Sequence, residues 1–88
     1  MKQPLNYAIL LYFTKHEEGC ADSVIEELTP EYGRYRAFKK SGVIESLMTA
    51  RENGILDEVR TELAGGDELR VWYGLTDYGR DLISRFLC

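Results

Sequence analysis

The 88-residue sequence has few residues suited to metal binding or covalent cross-linking. Its only cysteines are Cys20 and Cys88, and its only histidine is His16. These residues fit no zinc-site spacing, and a cysteine at the end of a chain is a poor structural staple, so we expect neither a metal site nor a disulfide framework. Sparing use of cysteine is typical of a reducing compartment, and we expect a cytoplasmic protein.

The sequence also lacks a long hydrophobic run. The longest, Tyr7 to Phe13 (YAILLYF), is far shorter than the roughly 20 apolar residues that cross a membrane. No signal-peptide cleavage pattern follows it. We therefore expect no contact with a membrane.

Catalytic patterns are missing as well. No glycine-rich phosphate loop is present, and His16 has no plausible set of catalytic partners. The length predicts a single domain, residues 1–88, with a modest core but no room for a deep substrate cleft. With 44% hydrophobic and 30% charged residues, the chain is expected to be globular. We predict a binding protein, neither an enzyme nor dependent on a cofactor.

Positive charge is concentrated in one part of this acidic chain. Five basic residues lie between positions 34 and 51: Arg34, Arg36, Lys39, Lys40 and Arg51. One acid, Glu45, accompanies them, so this part carries +4, whereas the whole chain carries −4 and the remainder therefore −8. The net charge argues against indiscriminate nucleic-acid binding, but the cluster favours a localised contact.

Apolar periodicity predicts helices in the first part of the chain. One helix follows Pro4 and ends near His16 to Gly19, and its apolar residues extend beyond a single face. Ser23 with Glu26 has the form of a capping box and predicts the start of a second helix. A third helix in two pieces is expected, one beginning at Thr29-Pro30-Glu31 and one covering residues 41–53 and ending at Asn53-Gly54.

The first piece of that third helix contains the stretch EYGRYRAFKK, residues 31–40. A helical period there would place Arg36, Lys39 and Lys40 on one face. The aromatic residues would largely occupy the opposite face: Tyr32, Tyr35 and Phe38. We therefore expect the rings to belong to the core and the cations to face solvent.

After Leu56 the apolar period changes from 3.6 to 2, which predicts two strands joined at Gly65-Gly66-Asp67. A three-residue loop sets three apolar pairs on one face: Leu63 with Leu69, Thr61 with Val71, and Val59 with Tyr73. The same register places Glu62 opposite Arg70 and Arg60 opposite Trp72 on the outer face, as an ion pair and a cation–π pair. Thr76-Asp77 then caps a last helix.

The predicted fold is mainly α with a β-hairpin, in the order α-α-α-β-β-α. The segment SGVIESLMTARENGILDEV, residues 41–59, resembles the recognition helix of PadR-type and MarR-type regulators and its passage into the first wing strand. The segment VWYGLTDYGRDLI, residues 71–83, resembles the passage from their second wing strand into the closing helix. This resemblance covers about half of the chain and implies a winged helix-turn-helix domain that binds duplex DNA and regulates transcription.

Two departures from the family pattern are visible. The segment between Leu28 and Ser41 is longer than a standard helix-turn-helix turn, so the basic patch, residues 34–40, is inserted ahead of the recognition helix. Full-length PadR-type proteins also have further C-terminal helices for dimerisation. A homodimer of this chain would have to use its first and last helices.

The resemblance assigns roles to particular residues. Exposed positions of the recognition helix are candidates for base readout: Ser41, Gly42, Glu45, Ser46 and Thr49. The five basic residues of positions 34–51 are candidates for phosphate contacts. In the wing, Arg60, Arg70 and Trp72 are candidates, although the five acids between Asp57 and Arg70 would repel a phosphate backbone.

Two other functions fit the same fold. A winged helix can also be a protein-interaction module, here binding a protein partner through its acidic wing and apolar first helix. Alternatively, exposure of Tyr32, Tyr35 or Trp72 would favour a surface for single-stranded nucleic acid, on which bases stack.

Overall fold

The computed structural model describes residues 4–36, 38–63 and 65–86; Cys88 lies outside the described residues. Within them the chain forms four helices and one antiparallel two-stranded sheet. The elements in order are α1 Leu5–Lys15, α2 Ala21–Tyr32, α3 Lys40–Glu52, β1 Leu56–Leu63, β2 Leu69–Leu75 and α4 Asp77–Phe86. This is the predicted α+β winged-helix order. None of the described helices is long and apolar enough to cross a membrane.

The core lies where α1, α2 and α3 meet the ends of the two strands that are farthest from the hairpin turn. One cluster of buried residues joins the first three helices and both strands: Ile9, Tyr12, Phe13, Val24, Val43, Leu47, Ala50, Leu56 and Tyr73. Ile83 of α4 is also buried. The loop between α1 and α2 is fixed to the wing by paired backbone hydrogen bonds of 2.8 and 2.9 Å between Gly19 and Tyr73. The core and this bridge hold the wing beside α3.

The second helix differs from the prediction at both ends. It begins at Ala21, and Ser23 lies inside it, where its Oγ accepts a 3.0 Å hydrogen bond from the Cys20 backbone N–H. It also continues through Pro30 to Tyr32. The prediction that a new helix begins at Thr29 was therefore wrong. The Thr29 hydroxyl donates a hydrogen bond to the Ile25 carbonyl, one turn earlier in the same helix, at 2.6 Å. Pro30 has no backbone N–H, but near the end of an established helix this removes only one hydrogen bond.

The described residues 34–36, 38 and 39 of the basic patch consequently lie in a linker of turns between α2 and α3, and Lys40 begins α3. The Tyr35 N–H bonds the Tyr32 carbonyl, and the Phe38 N–H bonds the Tyr35 carbonyl, each at 3.0 Å. The prediction of a helix with rings on one face and cations on the other was wrong. Tyr32 is buried and Phe38 is half-buried, but Tyr35 is exposed.

The predicted hairpin register is confirmed from Leu63 opposite Leu69 to Arg60 opposite Trp72. It then shifts, so that Glu58 and not Val59 lies opposite Tyr73. Val59 is the extra residue of a β-bulge, which is why the simple alternation predicted the wrong partner there. The apolar face is also less covered than expected, since Leu63 is 74% and Leu69 is 59% exposed.

The joint between β2 and α4 depends on Thr76. Its Oγ accepts the Gly79 N–H at 2.9 Å, which confirms the predicted cap of α4, and donates to the Gly54 carbonyl at 2.5 Å. Its backbone N–H bonds the Ile55 carbonyl at 3.0 Å. Gly79 lies directly on Ile55, where a Cβ atom would overlap the Ile55 carbonyl oxygen. The glycine of the segment LTDYGRDLI is therefore required by close packing.

Candidate nucleic-acid interface

Three cations of the basic patch project from the linker into solvent. Arg34, Arg36 and Lys39 are all exposed, and none of them forms an ion pair with another described residue. Buried Tyr32 anchors the linker, and its ring meets that of Tyr35 edge-on at 5.2 Å. The linker thus presents three positive charges to solvent, and the buried ring of Tyr32 holds its first end in the core.

The other two predicted phosphate ligands are engaged within the molecule. Lys40, the first residue of α3, bonds Glu68 of the wing at 3.0 Å and Asp22 of α2 at 3.2 Å. These hydrogen bonds, Glu68 first, raise the pKa of Lys40, so the ammonium stays charged. Near the other end of α3, Arg51 Nε lies 2.9 Å from Glu58 Oε2. Acids of the wing thus pair with both cations of α3.

The five predicted base readers lie on two sides of α3. The buried stripe of the helix is Val43, Leu47 and Ala50. The residues facing α1 line a groove of about 330 Å³, namely Gly42, Glu45, Ser46 and Thr49, together with Asn6 of α1. Ser46 is tied down there, because its Oγ donates to Asn6 Oδ1 at 3.0 Å. Ser41, Glu45 and Thr49 are exposed, whereas Gly42 and Ser46 are only half-exposed.

The three predicted wing residues form one polar network. Glu62 accepts hydrogen bonds from Trp72 Nε1 at 2.7 Å and Arg70 at 3.3 Å, and these bonds, Trp72 first, lower the pKa of Glu62. Arg60 lies 4.2 Å from the Trp72 ring centroid, which confirms the predicted cation–π pair.

This network also fastens the wing to the start of α2. Arg60 reaches Glu18 at 2.8 Å, and Arg70 reaches Asp22 at 3.2 Å. The face predicted to be the outer one is therefore directed toward α2 and the loop before it. The apolar face turns toward α3, because Leu69 and Val71 line the groove between the wing and that helix.

Reasoning from the sequence missed an apolar part of this surface. Ile44 is 38% and Met48 is 51% exposed. Both line the groove beside the wing, which has a volume of about 280 Å³. The sequence did offer one indication of their exposure. Val43, Leu47 and Ala50 already form a complete buried stripe along α3, and Ile44 and Met48 lie beside that stripe.

The described residues include no group of three histidine, cysteine, aspartate or glutamate side chains arranged to hold a metal ion. Two of the three rings relevant to single-stranded binding are covered: Tyr32 is buried and Trp72 is half-buried. Tyr35 is 44% exposed. Its edge-on contact with Tyr32 leaves one ring, not a row, on which bases could stack.

No protein-family model matches the chain, and no curated protein matches it in sequence. Solved structures do match. PadR of Bacillus subtilis in complex with operator DNA aligns with a TM-score of 0.75 and 26% identity, covering 94% of this chain and 46% of that one. A PadR-like transcriptional regulator from Bacillus cereus aligns with a TM-score of 0.70 and 14% identity, covering 94% of this chain and 77% of that one.

The chain thus spans less than half of the length of the Bacillus subtilis protein. Within that span, helix order, wing register and the glycine-containing joint to α4 agree with the winged-helix pattern. Both neighbours come from the PadR group, and neither is of the MarR type that the sequence also resembled. The fold of this chain is that of a PadR-like winged helix-turn-helix domain.

Proposed function

We propose that the chain binds duplex DNA and regulates transcription. The observation that carries this proposal is the structural likeness to a PadR protein solved on its operator, which extends over nearly the whole chain. The exposed basic patch beside the start of α3 supports it, because phosphate contacts supply a large share of the affinity of DNA-binding domains.

Docking on the phosphate backbone is assigned first to Arg34, Arg36 and Lys39. These side chains are exposed and form no ion pair with the described residues, so they can meet phosphates without first losing a partner. Lys40 and Arg51 are assigned a conditional role. Each must exchange a wing carboxylate for a phosphate before it contributes.

Base readout is assigned to the exposed residues of α3, namely Ser41, Glu45 and Thr49. Hydroxyl groups contact either kind of base, and a carboxylate accepts a hydrogen bond from the cytosine amino group. Gly42 and Ser46 have a supporting role at the α1–α3 groove. Arg60, Arg70 and Trp72 keep the wing in place, and they reach DNA only if their carboxylate partners release them.

The test is fluorescence-anisotropy binding to mixed-sequence duplex DNA over a series of salt concentrations. The native protein is compared with an Arg34→Ala, Arg36→Ala, Lys39→Ala variant. A control variant removes equal charge from exposed cations of α1 and α4, with Lys15→Ala, Arg80→Ala and Arg85→Ala.

We expect the patch variant to flatten the dependence of log affinity on log salt by about 2 to 3, because each phosphate contact contributes about −0.9. The control variant should keep the native slope. Equal loss in both variants would show a net-charge effect and contradict the assignment of the patch. Absence of duplex binding at low salt would overturn the proposed function, and tighter binding to a single-stranded probe would favour stacking on Tyr35.

We also propose that two copies associate through α1 and α4. Large aromatic rings are exposed on both helices: Tyr7 is 47%, Tyr78 is 59% and Phe86 is 73% exposed. Burying such rings stabilises an interface. Sedimentation equilibrium should show a dimer that Tyr7→Ser with Phe86→Ser dissociates, whereas Leu63→Ser at the wing tip should not. A monomeric native chain would contradict the dimer.

A further inference from the structure

The outward face of α3 carries a methionine between two acids. Glu45, Met48 and Glu52 are all exposed, and Met48 keeps 51% of its surface accessible. At 3.6 residues per turn, each lies about 100° or more around the helix axis from every residue of the buried stripe. These three side chains therefore form a ridge on the face of α3 opposite the buried stripe. It lies between the groove beside α1, which Glu45 also lines, and the groove beside the wing, which Met48 and Glu52 also line.

Cations do not share this ridge. Lys40 and Arg51 lie on the wing side of α3, where they line the groove and bond wing carboxylates. Glu45 and Glu52 form no ion pair with another described residue. A ridge with two unpaired carboxylates repels phosphates, so it does not suit the DNA backbone.

Base edges in the major groove fit the ridge better. Carboxylates accept hydrogen bonds from the amino groups of cytosine and adenine, and they are repelled by the O6 and N7 acceptors of guanine. Thymine presents a 5-methyl group, which pairs with apolar side chains. Met48 is flexible and apolar, and Ile44, 38% exposed, lies one helical turn before it.

We propose that Met48 is a specificity-determining residue that packs against the 5-methyl group of a thymine, with Glu45 and Glu52 favouring neighbouring amino-bearing bases. This proposal rests on the proposed function and names the base chemistry that the same helix reads. It adds to Ser41, Glu45 and Thr49 a contact that involves no hydrogen bond.

The test begins with selection of preferred duplexes from a random library by the native protein. Each thymine of the selected duplex is then replaced singly by deoxyuridine, which removes only the 5-methyl group. Affinities are measured by anisotropy for the native protein, for Met48→Ala and for Met48→Leu. Leu69→Ala is the matched control, because Leu69 is a similarly exposed apolar residue on the wing.

For the native protein, deoxyuridine at one position should weaken binding about fourfold, the effect expected for one buried methyl group. Met48→Ala should bind both duplexes equally, whereas Met48→Leu and Leu69→Ala should keep the difference. Alanine favours helix and Met48 is half-exposed, so the variant is expected to fold.

Two results would overturn the inference in different ways. If the native protein binds duplex DNA but tolerates deoxyuridine at every position, or if Met48→Ala keeps the full discrimination, Met48 is not a reader and the proposed function is unaffected. If no duplex binds at all, the proposed function fails and this inference fails with it.

Discussion

If the chain binds duplex DNA as proposed, two carboxylates of the wing compete with the phosphates for the cations of α3. Glu58 holds Arg51 at 2.9 Å, and Glu68 holds Lys40 at 3.0 Å. Replacing both acids by glutamine removes two negative charges, so the net charge changes from −4 to −2, and it keeps similar side-chain shapes. We expect this double variant to bind duplex DNA more tightly than the native protein.

The expected size follows from the exposure of these pairs. All four side chains are 41% to 59% exposed, and an exposed pair shifts an equilibrium by at most about fivefold. In the double variant Arg51 loses its ion pair with Glu58. Lys40 keeps its ion pair with Asp22 at 3.2 Å, so Lys40 is released only in part. Together the two changes should raise affinity at low salt by about three- to tenfold.

The matched control is Asp57→Asn with Asp67→Asn. Both aspartates are exposed wing residues, neither forms an ion pair with a described residue, and their replacement changes the net charge equally. Anisotropy titrations with one duplex should show a clearly smaller gain for the control. Equal gains in the two double variants would mean that only net charge matters, and would refute the view that Lys40 and Arg51 become DNA ligands on release.

Two further predictions concern stability. Gly79→Ala would place a Cβ atom against the backbone of Ile55, and we expect a loss of about 2 to 3 kcal/mol and a melting temperature lower by about 10 °C or more, measured by circular dichroism. A melting temperature within about 3 °C of the native value would contradict this packing. The pKa of Glu62 is lowered in the folded state, so its stabilising effect is complete above the ordinary glutamate pKa of 4.5 and is lost as pH falls through the lower folded value. Thermal unfolding across that acidic range should therefore depend less on pH in Glu62→Gln than in the native protein; identical profiles would count against the contribution of this carboxylate.

Much of the fold could be predicted from local patterns. The two-residue alternation predicted the register from Leu63 to Arg60, because a two-residue loop would have placed Leu63 opposite Glu68, whereas a three-residue loop places it opposite Leu69. The bulge at Val59 was not predictable in this way, since in this sequence the alternation of apolar and polar residues continues through Val59 without a break. The continuous α2 was missed because a proline after a threonine has the same local appearance at the start of a helix and near its end.

The candidate site was predictable only as a set of residues. Clustering identified the cations, but their partners are distant in sequence: Lys40 bonds Glu68 across 28 positions, and Arg70 bonds Asp22 across 48. No local pattern distinguishes a cation held by a carboxylate from one that is exposed without a partner. The exposure of Ile44 and Met48 likewise depends on how closely the wing approaches α3, which is a tertiary property.

The joint at Thr76 connects α4 to the end of α3 through Gly54 and Ile55. Gly79 seats α4 on the Ile55 backbone, Thr76 bonds the carbonyls of Gly54 and Ile55, and the Ile55 N–H returns to the Ala50 carbonyl at the end of α3. No side chain long enough to absorb a displacement lies between Gly79 and Ile55. A partner that tilts α4 would therefore also move the end of α3, and in the proposed complex it would change the angle at which α3 meets DNA.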